Sequence, residues 1–221
     1  MAIAFVGYGA GRDPRVTSLS GGLASTASNG DYMIWWIGYP NTMTAALAST
    51  TGWTRLRKTV GTAATVELWW RIWHTGDPTS WTCNVTGFSP SHRDNALTMV
   101  FRGLVAAPTV VSATHETSSS PAQADAVTDS SIGNNDFALY CFATENGTFD
   151  GTTTPTLASN TISGTSAGVS VGWLVTGTTG TSASLTASCT GTDLFGLQTI
   201  LPDVPTVPPG GWGVGQIRMN H

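Results

Sequence analysis

The sequence predicts an all-β protein, an antiparallel β-sandwich of the jelly-roll kind, and three observations lead to this prediction. Charged residues make up only 10% of the 221 residues, whereas Gly is abundant at 26. Thr and Ser contribute 36 and 21 residues, and the branched Cβ of Thr favours a pleated surface over a helix. Short apolar stretches recur between turn-forming clusters, as in a sandwich or barrel. The polar faces of the sandwich are therefore expected to carry hydroxyl groups rather than charges.

Twelve short strands are predicted from these stretches. They cover residues 2–8, 31–39, 53–60, 64–74, 79–86, 95–102, 109–114, 135–143, 155–163, 168–176, 182–189 and 194–201. Tight turns are predicted at Asn29-Gly30-Asp31 and at Gly76-Asp77-Pro78, because these residue types favour chain reversal. Residues 118–131 contain few apolar side chains and predict a long loop.

The chain contains a faint internal duplication. Segments 29–37, 71–76, 82–87 and 95–101 have counterparts at 134–142, 172–177, 187–191 and 193–200, in the same order. We therefore predict one domain over 1–201 with two halves, about 1–105 and 106–201, that interleave as the two Greek keys of one jelly roll. Neither half alone is expected to cover its apolar face. The tail 202–221 contains four prolines and predicts an extended Pro/Gly-rich C-terminal arm, because proline cannot pair in a central strand.

Charge and cysteine usage exclude several classes of protein. The net charge of −4 comes without a basic patch, so no nucleic-acid partner is expected. Apolar runs are too short to span a membrane, and the N-terminus lacks the features of a secretory signal peptide. Three cysteines at wide spacing do not form a disulfide framework or a zinc site. Buried free thiols are expected at Cys83, Cys141 and Cys189.

Catalytic motifs are weak, and no enzyme activity, cofactor or metal is expected. Segment 164–168 matches G-x-S-x-G, but a strand follows it where a nucleophile elbow requires a helix. The glycines of 7–11 have the wrong spacing for a dinucleotide loop, and the four histidines show no metal-ligand spacing. A glycosidase carboxylate pair stays an alternative, since two distant acids can meet in a fold. The chain has three glutamates for it, Glu67, Glu116 and Glu145.

Surplus aromatic residues in the first half predict a contact surface. Strand 31–39 is apolar on both faces, and strand 64–74 places Trp69 and Trp73 beside Glu67 and Arg71. Loops or the arm can cover such residues, but aromatics next to Arg are also typical of subunit interfaces. The predicted subunit or capsid interface consists of Trp35, Ile37, Tyr39, Trp69, Arg71, Trp73, Pro208, Pro209 and Trp212.

Carbohydrate stacking is the alternative role for exposed aromatic rings. Its candidates are Trp53, Trp69, Trp73 and Trp81. Core or interface packing is favoured over stacking, because Trp is usually well buried.

Four segments of the first half match a known pattern. They are Asn-Gly-Asp-Tyr-Met-Ile-Trp-Trp (29–36), Thr-Gly-Trp-Thr-Arg-Leu (51–56), Leu-Trp-Trp-Arg-Ile-Trp-His-Thr-Gly-Asp-Pro (68–78) and Phe-Arg-Gly-Leu (101–104). On these segments the chain resembles a family of small tailed-bacteriophage virion proteins. The resemblance covers about residues 1–105, and the second half matches only in outline. Trp73 and His74 replace the small residues that the family has after the arginine.

The resemblance implies a structural β-sandwich displayed on the virion surface, without catalytic residues. The favoured role is a capsid decoration (minor capsid) protein on the capsid exterior, made in the bacterial cytoplasm. Its partners would be the major capsid protein and further copies of itself, with a trimer favoured. The alternative is a minor tail or receptor-binding module that recognises host-surface carbohydrate.

Overall fold

The described part of the chain folds into sixteen antiparallel strands. A computed structural model describes residues 3–9, 18–41, 44–47, 49–61, 64–87, 95–104, 109–117, 121–146, 149–154, 158–163, 168–175, 177, 179–189 and 192–201. The strands of the first half are β1 (Ala4–Gly9), β2 (Ser18–Gly22), β3 (Tyr32–Pro40), β4 (Thr44–Leu47), β5 (Thr54–Val60), β6 (Ala64–Ile72), β7 (Ser80–Thr86) and β8 (Asn95–Arg102). Those of the second half are β9 (Thr109–Thr117), β10 (Ala122–Ala124), β11 (Phe137–Asn146), β12 (Phe149–Thr154), β13 (Ala158–Ser163), β14 (Gly168–Val175), β15 (Leu185–Cys189) and β16 (Thr192–Leu201). Within these ranges there is no helix, so the all-β prediction is confirmed.

The strand order of the second half repeats that of the first. The first half forms a five-stranded inner sheet, β1-β8-β3-β6-β5, and a three-stranded outer sheet, β2-β7-β4. The second half forms β9-β16-β11-β14-β13 and β10-β15-β12. Adding eight to each strand number converts the first pair of sheets into the second. Each half is thus an eight-stranded sandwich with jelly-roll order. The repeated strand order is what the predicted duplication would produce, whereas every described ladder joins two strands of the same half, so the described sheets of the two halves do not interleave.

Sequence patterns missed four strands, and these are two equivalent pairs. β2 and β10 are counterparts, as are β4 and β12, and all four flank the central strand of an outer sheet. Their sequences, SLSGG, TAAL, AQA and FDGTTT, are short and rich in small or hydroxyl side chains. Such edge strands show little apolar alternation, so the pattern does not reveal them. β10 also lies inside the predicted loop 118–131, which is therefore wrong for those residues.

The two inner sheets pack face to face across a core that both halves supply, here called the shared core. Tyr32, Ile34 and Trp36 of β3 enter it from the first half, and Leu139 and Cys141 of β11 enter it from the second. All five side chains are at most 3% exposed. Because alternate residues of a strand face opposite sides, the remaining side chains of β3 and β11 point away from this core.

Each inner sheet also packs against its own outer sheet. In the first half this outer core includes Met33, Trp35 and Ile37 opposite Trp81 and Cys83. The second half has an equivalent core, formed largely by Ala138, Tyr140, Phe142, Leu185 and Ala187. The sheets therefore stack as four layers with three cores between them. This stacking explains why strand 31–39 is apolar on both faces.

The buried position of β3 corrects part of the predicted interface. Trp35, Ile37 and Tyr39 are 0%, 1% and 3% exposed and lie in the outer core of the first half. Their side chains are enclosed by the chain itself, so the prediction that they contact another subunit is wrong. Pro208, Pro209 and Trp212, with the rest of the predicted arm 202–221, lie outside the described residues.

The outer surface of β7 has the hydroxyl-rich character that the composition predicts. Its side chains alternate between exposed and buried. The exposed set is Ser80, Thr82, Asn84 and Thr86. The buried set includes Cys83, which is a free thiol like Cys141 and Cys189. Free, buried cysteines are thus confirmed.

Candidate functional site

Two of the family-like segments meet at one end of the first sandwich. The turn at 29–31 contacts the loop that follows β6, since Gly30 N–H donates to the Trp73 carbonyl and Trp73 N–H donates to the Asp31 carbonyl, both at 2.9 Å. Asn29 Oδ1 accepts a hydrogen bond from Thr75 N–H at 3.0 Å. The positive φ of Gly30, 88°, is a backbone conformation that glycine adopts without strain. Segments far apart in sequence are thereby joined into one structural unit.

An ion pair joins this turn to a third segment. Arg102 donates through Nε to Asp31 Oδ1 and through Nη2 to Asp31 Oδ2, both at 2.8 Å. Asp31 is 2% exposed and also accepts a hydrogen bond from Ser28 N–H at 2.7 Å. Hydrogen bonding to Asp31 and its negative charge raise the pKa of Arg102. The Arg of Phe-Arg-Gly-Leu therefore holds the Asp of Asn-Gly-Asp in place.

The centre of the site is Arg71, a cation enclosed between aromatic rings. Its guanidinium carbon lies 5.0 Å from the ring centroid of Trp81 and 5.7 Å from that of Trp53. The backbone of Gly52 lies close against the guanidinium, since a Cβ atom at this position would be only 3.2 Å from Nη2. Arg71 is only 6% exposed. The Gly-Trp-Thr segment thus provides both the ring and the side-chain-free backbone that this arginine needs.

Asp77 supplies the counter-charge for Arg71. Its Oδ2 accepts hydrogen bonds from Arg71 Nη2 at 2.6 Å and from His74 N–H at 2.8 Å. The backbone N–H of His74 lowers the pKa of this carboxyl most, and the charge of Arg71 lowers it further. Asp77 Oδ1 and Arg71 Nη1 make no hydrogen bond to any residue that the structure describes. Both atoms therefore retain capacity for a ligand.

A cavity of about 240 Å³ lies against this ion pair, at the end of the sandwich where β6 ends and β7 begins. Its lining combines the ion pair with hydroxyl groups and two apolar side chains. The lining residues are Ser49, Thr51, Arg71, Asp77, Pro78, Ser80, Trp81 and Thr82. We refer to this cavity as the Arg71 pocket. The four hydroxyl-bearing residues are exposed, so solvent reaches the lining.

A second polar cluster surrounds Glu67 on β6. This carboxylate is 3% exposed and accepts hydrogen bonds from the Tyr39 hydroxyl at 2.6 Å and from Trp69 Nε1 at 3.0 Å. Lys58 and Arg55 of β5 lie 3.3 and 3.6 Å from its oxygens. Burial, followed by the hydrogen bond to Glu67, raises the pKa of Tyr39. Every oxygen of Glu67 is engaged, so this cluster ties the edge strand β5 to the sheet.

The second half has no counterpart of the Arg71 site. In the first half, Arg71 pairs with Met33, and the equivalent pair of the second half is Leu174 with Ala138. Trp81 pairs with Gly21, and its equivalent Leu185 pairs with Ala124. Residues 106–201 contain seven Asp and Glu and no Lys or Arg. The cation and the aromatic ring at these positions thus occur in the first half and not in the second.

The predicted site residues divide into three groups. Arg71 is central to the pocket, as described, while Trp69 and Trp73 are half-buried at the margin of the first outer core. Their predicted contact with a partner stays a prediction. Of the sugar-stacking candidates, Trp53 and Trp81 are 6% and 7% exposed, so neither presents an open ring face. For the glycosidase alternative, the side chains of Glu116 and Glu145 lie outside the described part.

Sequence reasoning missed the hydroxyl groups of the pocket and the role of Asp77. A usable signal was present, because Arg71 alternates with Trp69 and Trp73 on one face of its strand and a Gly-Asp-Pro turn follows it. A cation at an inward position requires a counter-charge close by. Within the described ranges no three His, Cys, Asp or Glu side chains group as metal ligands. No described segment forms a helix of the length and hydropathy needed to cross a membrane.

Comparison of the chain with protein-family models, with curated proteins and with solved structures found no match. The resemblance to phage virion proteins therefore rests on the four motif segments. The fold itself defines a tandem of two jelly-roll sandwiches.

Proposed function

We propose that this chain is a structural subunit of a tailed-phage virion, attached to the capsid exterior as a decoration protein. The observation that carries the proposal is the convergence of the family-like segments. All four meet at one end of the first sandwich, through the contacts of Gly30 with Trp73, Asp31 with Arg102, and Gly52 with Arg71. The resemblance thus falls on residues that lie far apart in the sequence and contact one another in the fold.

The architecture is consistent with a structural role. Jelly rolls serve as capsid and lectin domains, although fold alone does not define function. The stacked sheets keep the apolar surface inside, and the exposed face of β7 carries hydroxyl and amide groups without charge. A neutral, rigid face of this kind can be packed densely on a particle without mutual repulsion.

Copy number in purified particles tests this proposal. We expect on the order of hundreds of copies per virion, because a decoration protein repeats with the capsid symmetry. Quantitative mass spectrometry of virions, with the major capsid protein as internal standard, measures the ratio. Recombinant chain should also co-sediment with particles from which it has been depleted. A few copies per particle would support the tail alternative instead, and absence from virions would overturn both.

Chain association tests the predicted trimer separately. Sedimentation equilibrium of the full chain gives its mass in solution. Single-residue changes at the half-buried Trp69 or Trp73, to serine, should weaken association if these residues contact another subunit. Val60, which is 62% exposed on edge strand β5, supplies a control change to serine outside the predicted interface.

A further inference from the structure

We infer that the Arg71 pocket binds a neutral saccharide, through one sugar ring at a time. This inference concerns the isolated chain and does not depend on a position in the virion. The volume of the Arg71 pocket is about 240 Å³, which is roughly the volume that eight water molecules occupy in the liquid. That space accommodates one six-membered ring with its hydroxyl groups.

The charge balance of the pocket favours a neutral ligand. Arg71 and Asp77 compensate each other at 2.6 Å, so the pocket carries no net charge from this pair. An anionic ligand would have to compete with Asp77 for the guanidinium, and a cationic ligand would have to compete with Arg71 for the carboxylate. In either case the charged ligand would only replace an ion-pair contact that the protein already makes. A ligand that needs donors and acceptors together, without charge, avoids this competition.

The free polar groups match the hydroxyl groups of a sugar. Asp77 Oδ1 can accept, Arg71 Nη1 can donate, and the hydroxyls of Ser80 and Thr82 can do either. Within the described part of the chain neither of these two hydroxyls has a hydrogen-bond partner, and both belong to exposed residues at the start of β7. Pro78 and Trp81 complete the lining with apolar surface for the C–H groups of the ring.

The second half supplies internal evidence that the pocket is not a requirement of the fold. The same strand order closes there with Leu185 in the place of Trp81, and Leu185 is 1% exposed. The end of a sandwich with this strand order can therefore be closed with an apolar side chain at this position. The buried cation and its aromatic enclosure exist in only one of the two copies, which indicates a role beyond closing the sandwich.

Saturation-transfer NMR and calorimetry on the full chain test the inference. The probes are glucose, galactose, mannose, rhamnose and N-acetylglucosamine, each in the millimolar range, because a single ring makes few contacts. At least one neutral sugar should bind at one site per chain. Thr82→Val should weaken this binding about five- to tenfold, as loss of one hydrogen bond predicts. The matched control is Thr86→Val, the same change on the same exposed face of β7 outside the pocket.

Three results would overturn the inference. They are the absence of binding by all five sugars, equal binding by Thr82→Val and Thr86→Val chains, and a preference for glucuronate or inorganic phosphate over the neutral sugars. Ser80→Ala provides a second variant at an exposed position, so loss of folding cannot be mistaken for loss of binding. Circular dichroism of each variant verifies that the fold is kept.

Discussion

The two halves share one strand order but close their ends with different chemistry. In the first half a buried arginine lies between two tryptophan rings beside Asp77. In the second half the equivalent positions on the two strands carry Leu174 and Leu185. The two halves thus share the strand order that the backbone ladders form, whereas the side chains at the end of the sandwich differ between them. Chemistry that differs between two copies of one fold is where function is best sought.

The two outer cores contain side chains of different size at equivalent positions, and a larger side chain in one position is matched by a smaller one in its neighbour. In the first half, a Cβ on Gly21 would lie 2.8 Å from Trp35 Cε2, so glycine is needed beneath the large ring. The second half has Ala124 and Tyr140 at the equivalent positions, both fully buried. A smaller ring thus accompanies a larger neighbour. Such exchanges hold the total volume near the density that protein interiors require.

The largest expected effect follows from separating the halves. Fragments 1–105 and 106–201, expressed alone, would each expose one side of the shared core, including Trp36 in one and Cys141 in the other. We expect poor solubility and weak near-UV circular dichroism for each fragment, and recovery of both on co-expression. Two fragments that fold cooperatively as monomers would show that the predicted single domain over 1–201 is two domains.

Replacing the central cation should have the next largest effect. Arg71→Leu gives the first half the residue of the second, and it removes two cation–π contacts and the hydrogen bond to Asp77. We expect a loss of about 2–3 kcal/mol in the free energy of unfolding. Urea denaturation measures it. An unchanged midpoint would mean that a leucine fills the place of Arg71 without loss and that the site contributes nothing to stability.

The matched sizes of Gly21 and Trp35 predict a smaller loss of stability for a change at Gly21, which a second change at Trp35 should partly restore. Gly21→Ala places a methyl group against Trp35 and should cost about 1–3 kcal/mol, as overpacking does. Combining it with Trp35→Tyr makes the pair resemble Ala124 and Tyr140, so the double variant should be more stable than Gly21→Ala alone. Thermal unfolding of the three variants decides this. Additive losses would show that the two halves do not use equivalent packing.

The smallest effect concerns pH. The pKa of Asp77 in the folded chain is below its ordinary value of 3.8, chiefly because of the His74 N–H group. A carboxyl group with a lowered pKa stabilises the folded chain when the pH is above the ordinary pKa. This stabilisation is lost as the pH falls through the pKa of the folded chain. The stability difference between the natural chain and Asp77→Asn should therefore shrink below about pH 4.

Asp129→Asn is the matched comparison in the second half. The hydroxyl and N–H groups of Ser131 lower the pKa of Asp129 as well, but no buried cation accompanies it. Urea midpoints at pH 7, 5 and 3 should thus change less for Asp129→Asn than for Asp77→Asn. Equal changes would assign the effect to the turn hydrogen bonds alone, without a contribution from Arg71.

Periodicity predicted the long strands well and the layering poorly. Strand 95–102 has the predicted bounds, because it is a nearly continuous apolar run with a polar residue at each end. The two apolar faces of β3 were also visible in the sequence, but periodicity does not say what covers a face. The face of β3 with Trp35 and Ile37 was predicted to contact another subunit, whereas the outer sheet of the same half covers it, and the other half of the chain covers the opposite face. The local pattern contains no information about a partner a hundred residues away.

The candidate site was only partly predictable for a similar reason. Aromatic residues around Arg71 were recognisable, and the Gly-Asp-Pro turn was predicted. The proximity of Gly52 and Trp53 to Arg71 depends on how the loop after β4 folds back over β6, which no local pattern specifies. The exposed hydroxyls of Ser80 and Thr82 resemble those of any other strand. Only the fold distinguishes them.

The shared core has a consequence for how such a chain can arise. Both halves present the same strands, β3 with β8 and their counterparts β11 with β16, to each other. A single ancestral copy would leave this face bare to water, and a second identical copy could cover it by an isologous contact. A homodimer is therefore the simplest soluble precursor, and gene fusion would then have freed one protomer's loops to diverge while the other kept its plain end.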